Sequence, residues 1–161
     1  MSITILKAGF QDLIQDLGRN GYTHMGISPT GAADNISFRI GNLLLGNDIN
    51  DPGIEITLFG GSYYFNKDAI IALSGSVFTS ATDGDIIPFF KPIVVKFGQT
   101  LSIDSTTNGA RCYLAIKGGF QVPYILNSSS THLLSNTGGF NGRNLKKNDE
   151  IICDSSDDMG I

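Results

Sequence analysis

The chain has 161 residues, enough for one domain that removes roughly 70% of its unfolded surface from water. Apolar residues make up 41%, which argues against disorder, while charged residues reach only 16% against a usual value of about 25%. The net charge of −4 without any Lys/Arg cluster argues against nucleic acid. No run approaches the roughly 18 apolar residues of a membrane span, so a soluble cytoplasmic protein is expected.

Residues 3–6 open the chain as a strand. From Gly9 to Asn47 the composition changes: Lys and Glu are absent, and Gln15, Asp16, Arg19, Asp34, Arg39, Asn42 and Asn47 stand among glycines. Directed hydrogen-bonding groups on a backbone that allows close approach suit a small polar ligand or an exacting internal network. Within it, Ile36, Ile40, Leu43 and Leu44 fall at i, i+4, i+7 and i+8, the stripe of an amphipathic helix. Ser28 with Pro29 is a plausible cap and first turn, with a later start near Ala32 as the alternative, and Gly46 terminates the helix.

Beyond it the pattern turns to strands. Residues 54–58 alternate, with Glu55 facing solvent or lining a cleft. Residues 62–65 and 69–73 flank Asn66-Lys67-Asp68, read as a hairpin turn, and 77–80 and 86–89 flank a second turn at Asp83-Gly84. Residues 93–97, 100–103 and 111–116 follow, with Asn108-Gly109 as the turn before the last, and 150–153 closes the series. The pattern predicts an all-β barrel or sandwich with one packed helix over residues 1–153 and a polar tail over 154–161.

Cys112 shares a strand face with Leu114 and Ile116 and reads as a core thiol. His24 reads as a packed strand residue rather than a base, and His132 as a polar residue near a helix start, with approach to a ligand beside the Ser/Thr block as the alternative. Neither has partners at metal-ligand spacing, so no metal is expected. A P-loop, a nucleophile elbow and a Ser/His/Asp triad are all missing. Asn127-Ser-Ser-Ser-Thr131 ahead of Leu133-Leu134 predicts a capped short helix whose free N–H groups hold an anion, with Arg143 adding a bidentate fork. A hydroxyl-rich turn with a surface arginine is the equal alternative. Asp16 with Arg19, and Asp34 with Arg39, are spaced to pair.

Gln15-Asp-Leu-Gly-Arg19, Ser28-Pro-Thr-Gly-Ala-Ala-Asp34, Arg39 with Asn42, and Gly46-Asn47 come in an order that resembles a known family. So do Ile54-Glu-Ile-Thr57, Ala72-Leu-Ser-Gly75, Tyr113 to Gly119, Ser128 to Thr131 and Gly138 to Arg143. The family is variously called the 5-oxoprolinase C subunit, allophanate hydrolase subunit 2, or biotin-dependent carboxyltransferase-like. The resemblance implies a cyclophilin-like β-barrel, half of a tandem pair of which this chain corresponds to the N-terminal member. It implies partners of subunit-B type and a subunit-A-type hydrolase, which together open 5-oxo-L-proline to glutamate at the expense of ATP bound elsewhere in the complex. Related domains transfer a carboxyl group to urea, and another relative antagonises a histidine-kinase inhibitor without chemistry of its own. On this basis Asp34 and Arg143 are expected to be catalytic. Asp16, Arg19, Arg39, Asn42, Ser128, Ser130 and Thr131 are expected to bind a small amide. One departure stands out: Ser129 occupies a position where the family pattern has arginine.

Overall fold

A computed structural model describes residues 1–154; the expected tail lies outside the described residues beyond Asp154. Among the described residues, eleven strands and one helix run in the order β1 (Ser2–Lys7), β2 (Gln11–Gln15), α1 (Asn35–Leu44), β3 (Gly53–Thr57), β4 (Ser62–Phe65), β5 (Ala69–Gly75), β6 (Phe78–Thr82), β7 (Asp85–Ile86), β8 (Pro92–Val95), β9 (Thr100–Thr106), β10 (Arg111–Ile116) and β11 (Glu150–Ile152). Short 3-10 turns cover Thr23–Met25 and Leu133–Ser135. The strands form two antiparallel sheets, β11-β1-β4-β9-β6-β7 and β2-β3-β10-β5-β8. The all-β fold with one helix is as expected, although the barrel consists of two sheets that do not close into one.

The core lies between the sheets. Ile3 and Ile5 of β1, Tyr63 and Phe65 of β4, Ile54 and Ile56 of β3, and Cys112, Leu114 and Ile116 of β10 meet there, all essentially inaccessible. Each fully buried aliphatic or aromatic side chain contributes about 1.5–3 kcal/mol before conformational entropy is set against it. Strand β10 is apolar on both faces because α1 covers its outer side, where Phe38 meets Tyr113 edge-on and Leu45 packs with Ala72 and Ala115.

Three local expectations differ from the structure. Asn66-Lys67-Asp68 joins no hairpin, because β4 and β5 belong to different sheets. Asn66 instead accepts the Ser2 N–H and Asp68 the Phe97 N–H, so this connection anchors two neighbouring segments. Asp83-Gly84 does turn a tight hairpin between β6 and β7, with both residues at positive φ. The helix keeps its predicted period but buries another face: Phe38, Gly41, Asn42 and Leu45 point inward, while Ile36 and Leu43 are 74% and 61% exposed. The floor beneath supplies the reason. Ser74 donates to the Ser37 carbonyl, and Asn42 donates to Asp51 O while accepting from Asn47, so polar anchoring fixes the rotation. The helix starts neither at Ser28 nor at Ala32. Asp34 is its N-cap and accepts the Ile36 and Ser37 N–H groups.

Candidate functional site

Strand β2 delivers Asp16 and Arg19 to a seam between two loops. On one side Ala32 donates to Asp16 O and Arg19 donates to Pro29 O; on the other, Thr131 donates to Ile14 O through both its N–H and its hydroxyl. Residues 128–131 are therefore an extended strap; the short helix expected after them is the 3-10 turn Leu133–Ser135, which carries no side-chain cap. The strap does hold an anion, through one N–H and one hydroxyl, but it is the protein's own. Asp16 accepts from Ser128 Oγ at 2.7 Å, Ser129 N at 2.6 Å and Gly18 N at 2.8 Å, and is 1% exposed.

Arg19 is buried to the same 1%. Its guanidinium makes no direct bond to Asp16. Nε donates to Ile125 O at 3.0 Å, Nη2 to Ser130 O at 3.1 Å and Ser128 O at 3.4 Å, and Nη1 to Thr30 Oγ1 at 3.3 Å. The two charges are joined through three hydroxyls. Ser128 directs its proton to Asp16, so Ser130 donates to Ser128 at 2.7 Å. Thr30 then donates to Ser130 at 2.7 Å, sharing its proton with Pro29 O. The chain Arg19–Thr30–Ser130–Ser128–Asp16 thus runs in one direction from cation to carboxylate. A buried network of linked hydrogen bonds rigidifies what it holds, and here it fixes the Arg19 guanidinium.

Backbone strain gathers at the same place. Thr30, Leu126, Asn127 and Asn136 all adopt positive φ, and for β-branched Thr30 that conformation is costly. Gly138 and Gly139 close the seam. A Cβ on Gly138 would strike Ser130 O and press Arg19 Nη2, and one on Gly139 would strike Thr131 Oγ1. Over this floor opens a cleft of about 260 Å³ lined by Arg19, Ile27, Leu126, His132, Ser135 and Thr137.

Asp16, Arg19, Ser128, Ser130 and Thr131 are brought together as the sequence suggested. The others do not join them. Asp34 caps α1 and borders a different, open depression with Ser37, Gly75 and Asn108; its carboxyl is held below the ordinary value chiefly by the Ser37 hydroxyl. Arg39 is exposed on α1, and Asp34 faces Ser37 and Ile36 rather than Arg39. Asn42 is buried under the helix. Arg143 is engaged bidentately by Asp149 at 2.7 and 2.9 Å and lies over the Phe140 ring, so its fork already holds a carboxylate within the chain. The same contact holds the Asp149 carboxyl below its ordinary range. Glu55 faces neither solvent nor cleft, since it accepts from Tyr113 Oη and Ala33 N and pins the segment before α1. His24 is exposed in the first 3-10 turn instead of packed in a strand. Among the described residues no group of three or more His, Cys, Asp or Glu is placed to hold a metal.

The cleft residues His132, Ser135 and Thr137 were not among the expected site residues. Asn136 followed by Thr137-Gly138-Gly139 was the available signal, because it marks a tight return that pairs Thr137 with His132.

Residues 25–160 match the carboxyltransferase domain, subdomains A and B. The chain is 44% identical to urea amidolyase of Saccharomyces cerevisiae over 98% of its length, which is 9% of that protein. It is 39% identical to the 5-oxoprolinase C subunit of Escherichia coli over 92% of its length, or 48% of that protein. The crystal structure of Kluyveromyces lactis urea carboxylase superposes with a TM-score of 0.95 at 38% identity, covering 97% of this chain and 14% of that one. The chain belongs to the carboxyltransferase domain family. It spans about half the length of the 5-oxoprolinase relatives it matches and a far smaller share of the urea amidolyases.

Proposed function

We propose that this chain is one component of a multi-part enzyme acting on a small amide, and that carboxyl transfer to urea is its closest fit. The observation that carries the reading is the similarity to urea amidolyase at 44% identity along nearly the whole chain. Opening of 5-oxo-L-proline is the second reading, favoured by the 39% identity to the 5-oxoprolinase C subunit. Both substrates present the same N–H and C=O groups. Both readings place ATP consumption and further chemistry on partners, of subunit-A and subunit-B type in the second case, and both carry a cytoplasmic location. In the first, the carboxyl group comes from a carrier outside this chain.

What this chain supplies is binding and orientation. The guanidinium of Arg19 and the carboxylate of Asp16 are fixed through the three-hydroxyl chain before any ligand arrives. Donors held in place in a water-poor site stabilise developing charge without reorganising. Asp34 and Arg143 contribute to the structure of the unit in this reading, through the helix cap and the Asp149 pair. The test is reconstitution with candidate partner components. Carboxyl transfer to urea that requires this chain supports the first reading, and ATP-dependent formation of glutamate from 5-oxo-L-proline supports the second. Loss of neither activity on omitting this chain would refute both.

A further inference from the structure

The five N–H donors of a guanidinium make a complete count possible. Among the described residues, Arg19 directs four of them at Ile125 O, Ser128 O, Ser130 O and Thr30 Oγ1, leaving one Nη1–H of a buried side chain that lines the cleft. On the same cleft, His132 is held by its own hydroxyl sequence. Thr137 Oγ1 donates to Ser135 O at 3.2 Å, and Ser135 Oγ donates to Thr137 Oγ1 at 3.0 Å. With the hydroxyls in that orientation, the proton in the 2.6 Å contact between His132 Nδ1 and Ser135 Oγ is the ring's. In the neutral imidazole this leaves Nε2 as an acceptor. The backbone bonds His132 N to Thr137 O and Thr137 N to His132 O hold the ring's loop in register.

We propose that this cleft reads the amide group of a small ligand, the remaining N–H of Arg19 donating to its carbonyl oxygen and His132 Nε2 accepting its N–H. The two protein groups differ in polarity, as do the two edges of a primary or cyclic secondary amide. A carboxylate, which only accepts, matches Arg19 and leaves His132 unanswered. A tertiary amide fails on the same side. Ile27 and Leu126 supply an apolar wall, and the volume of about 260 Å³ has room for a five-membered lactam or urea. The proposal rests on the reading that the unit acts on a small amide, and it adds which residues recognise that group.

The probes are 2-pyrrolidone and N-methyl-2-pyrrolidone, which differ by one methyl group in place of the N–H hydrogen. Imidazole nitrogen shifts are followed on the whole chain, whose only histidines are His24 and His132. The expected result is a protonated Nδ1 on His132 in the free chain and a saturable Nε2 shift with 2-pyrrolidone. The N-methyl analogue should bind weaker by on the order of tenfold, since it leaves the Nε2 acceptor of half-buried His132 unmatched. His132→Phe and Ile27→Trp should each abolish 2-pyrrolidone binding, and Leu134→Gln, at a 93% exposed neighbour, should leave it intact. Equal affinity for the two lactams, or an undisturbed His132 at saturating 2-pyrrolidone, overturns the proposal. Selective binding by a chain that supports no turnover with any partner refutes the enzyme reading alone. Turnover with an unchanged KM in His132→Phe refutes the amide reader alone.

Discussion

Asp16→Asn isolates the energetic core of the site. The carboxylate accepts three donors at 2.6–2.8 Å while almost fully buried. In the best orientation the amide oxygen keeps Gly18 N and Ser128 Oγ, and the amide nitrogen faces Ser129 N, donor against donor. An unsatisfied buried N–H costs about 1–3 kcal/mol, and the two surviving bonds lose the charge that makes them about twice as strong as neutral ones. Arg19 also loses the charge at the far end of its hydroxyl chain. The sum is about 3 kcal/mol, equivalent to roughly 6–12 °C in Tm for a chain of this size. Urea unfolding followed by circular dichroism at pH 7 measures it. Asp34→Asn is the same atomic change at an exposed helix cap, where Asn serves about as well, so it should cost under about 1 kcal/mol. Equal losses in the two variants would refute the assignment of Asp16 as the keystone of the strap.

Three further outcomes are expected. Arg143→Ala should destabilise by about 1–2 kcal/mol by releasing Asp149, and Arg143→Lys should recover less than half of that, because a point ammonium cannot reproduce two parallel bonds; paired unfolding curves decide. Phe38→Ala should cost about 3–5 kcal/mol whereas Ile36→Lys stays within about 0.5 kcal/mol, which reverses the ranking the sequence stripe implies. Burial holds the Asp12 carboxyl above its ordinary 3.8, so between that pH and the folded value the folded chain retains a proton that the unfolded chain releases. Its contribution to stability is full below pH 3.8 and falls as pH rises through the folded value, a slope that Asp12→Asn should remove when unfolding is measured from pH 4 to 7.

The strands could be read from the sequence where one face was apolar and the turn chemistry local. Residues 62–65 match β4, and Cys112, Leu114 and Ile116 share the core face that their alternation suggested. Strand β2 went unrecognised because Gln11, Asp12 and Gln15 break its apolar pattern; Asp12 is buried with Tyr63, which donates to it from a strand far along the chain. The helix shows the complementary failure. Periodicity finds an amphipathic helix but not its rotation when an asparagine and a glycine face the sheet and two aliphatics face out. At the site, the block of hydroxyls at 128–131 pointed to anion binding. Nothing local revealed that Asp16 would be the anion, a residue more than a hundred positions earlier.

That separation has a consequence for how the molecule comes into being. Ser128 and Ser129 reach Asp16 across 112 and 113 residues, and Ser130 reaches Arg19 across 111. A nascent chain emerging from the ribosome carries this acid and this base near its front, with their companions not yet synthesised. Closing so long a loop has an entropic cost that must be met before any of the contacts form, which slows maturation. The cleft's floor and the last third of the polypeptide therefore arrive together, and a product cut short before Thr131 would lack a binding surface even where its β-strands had already paired.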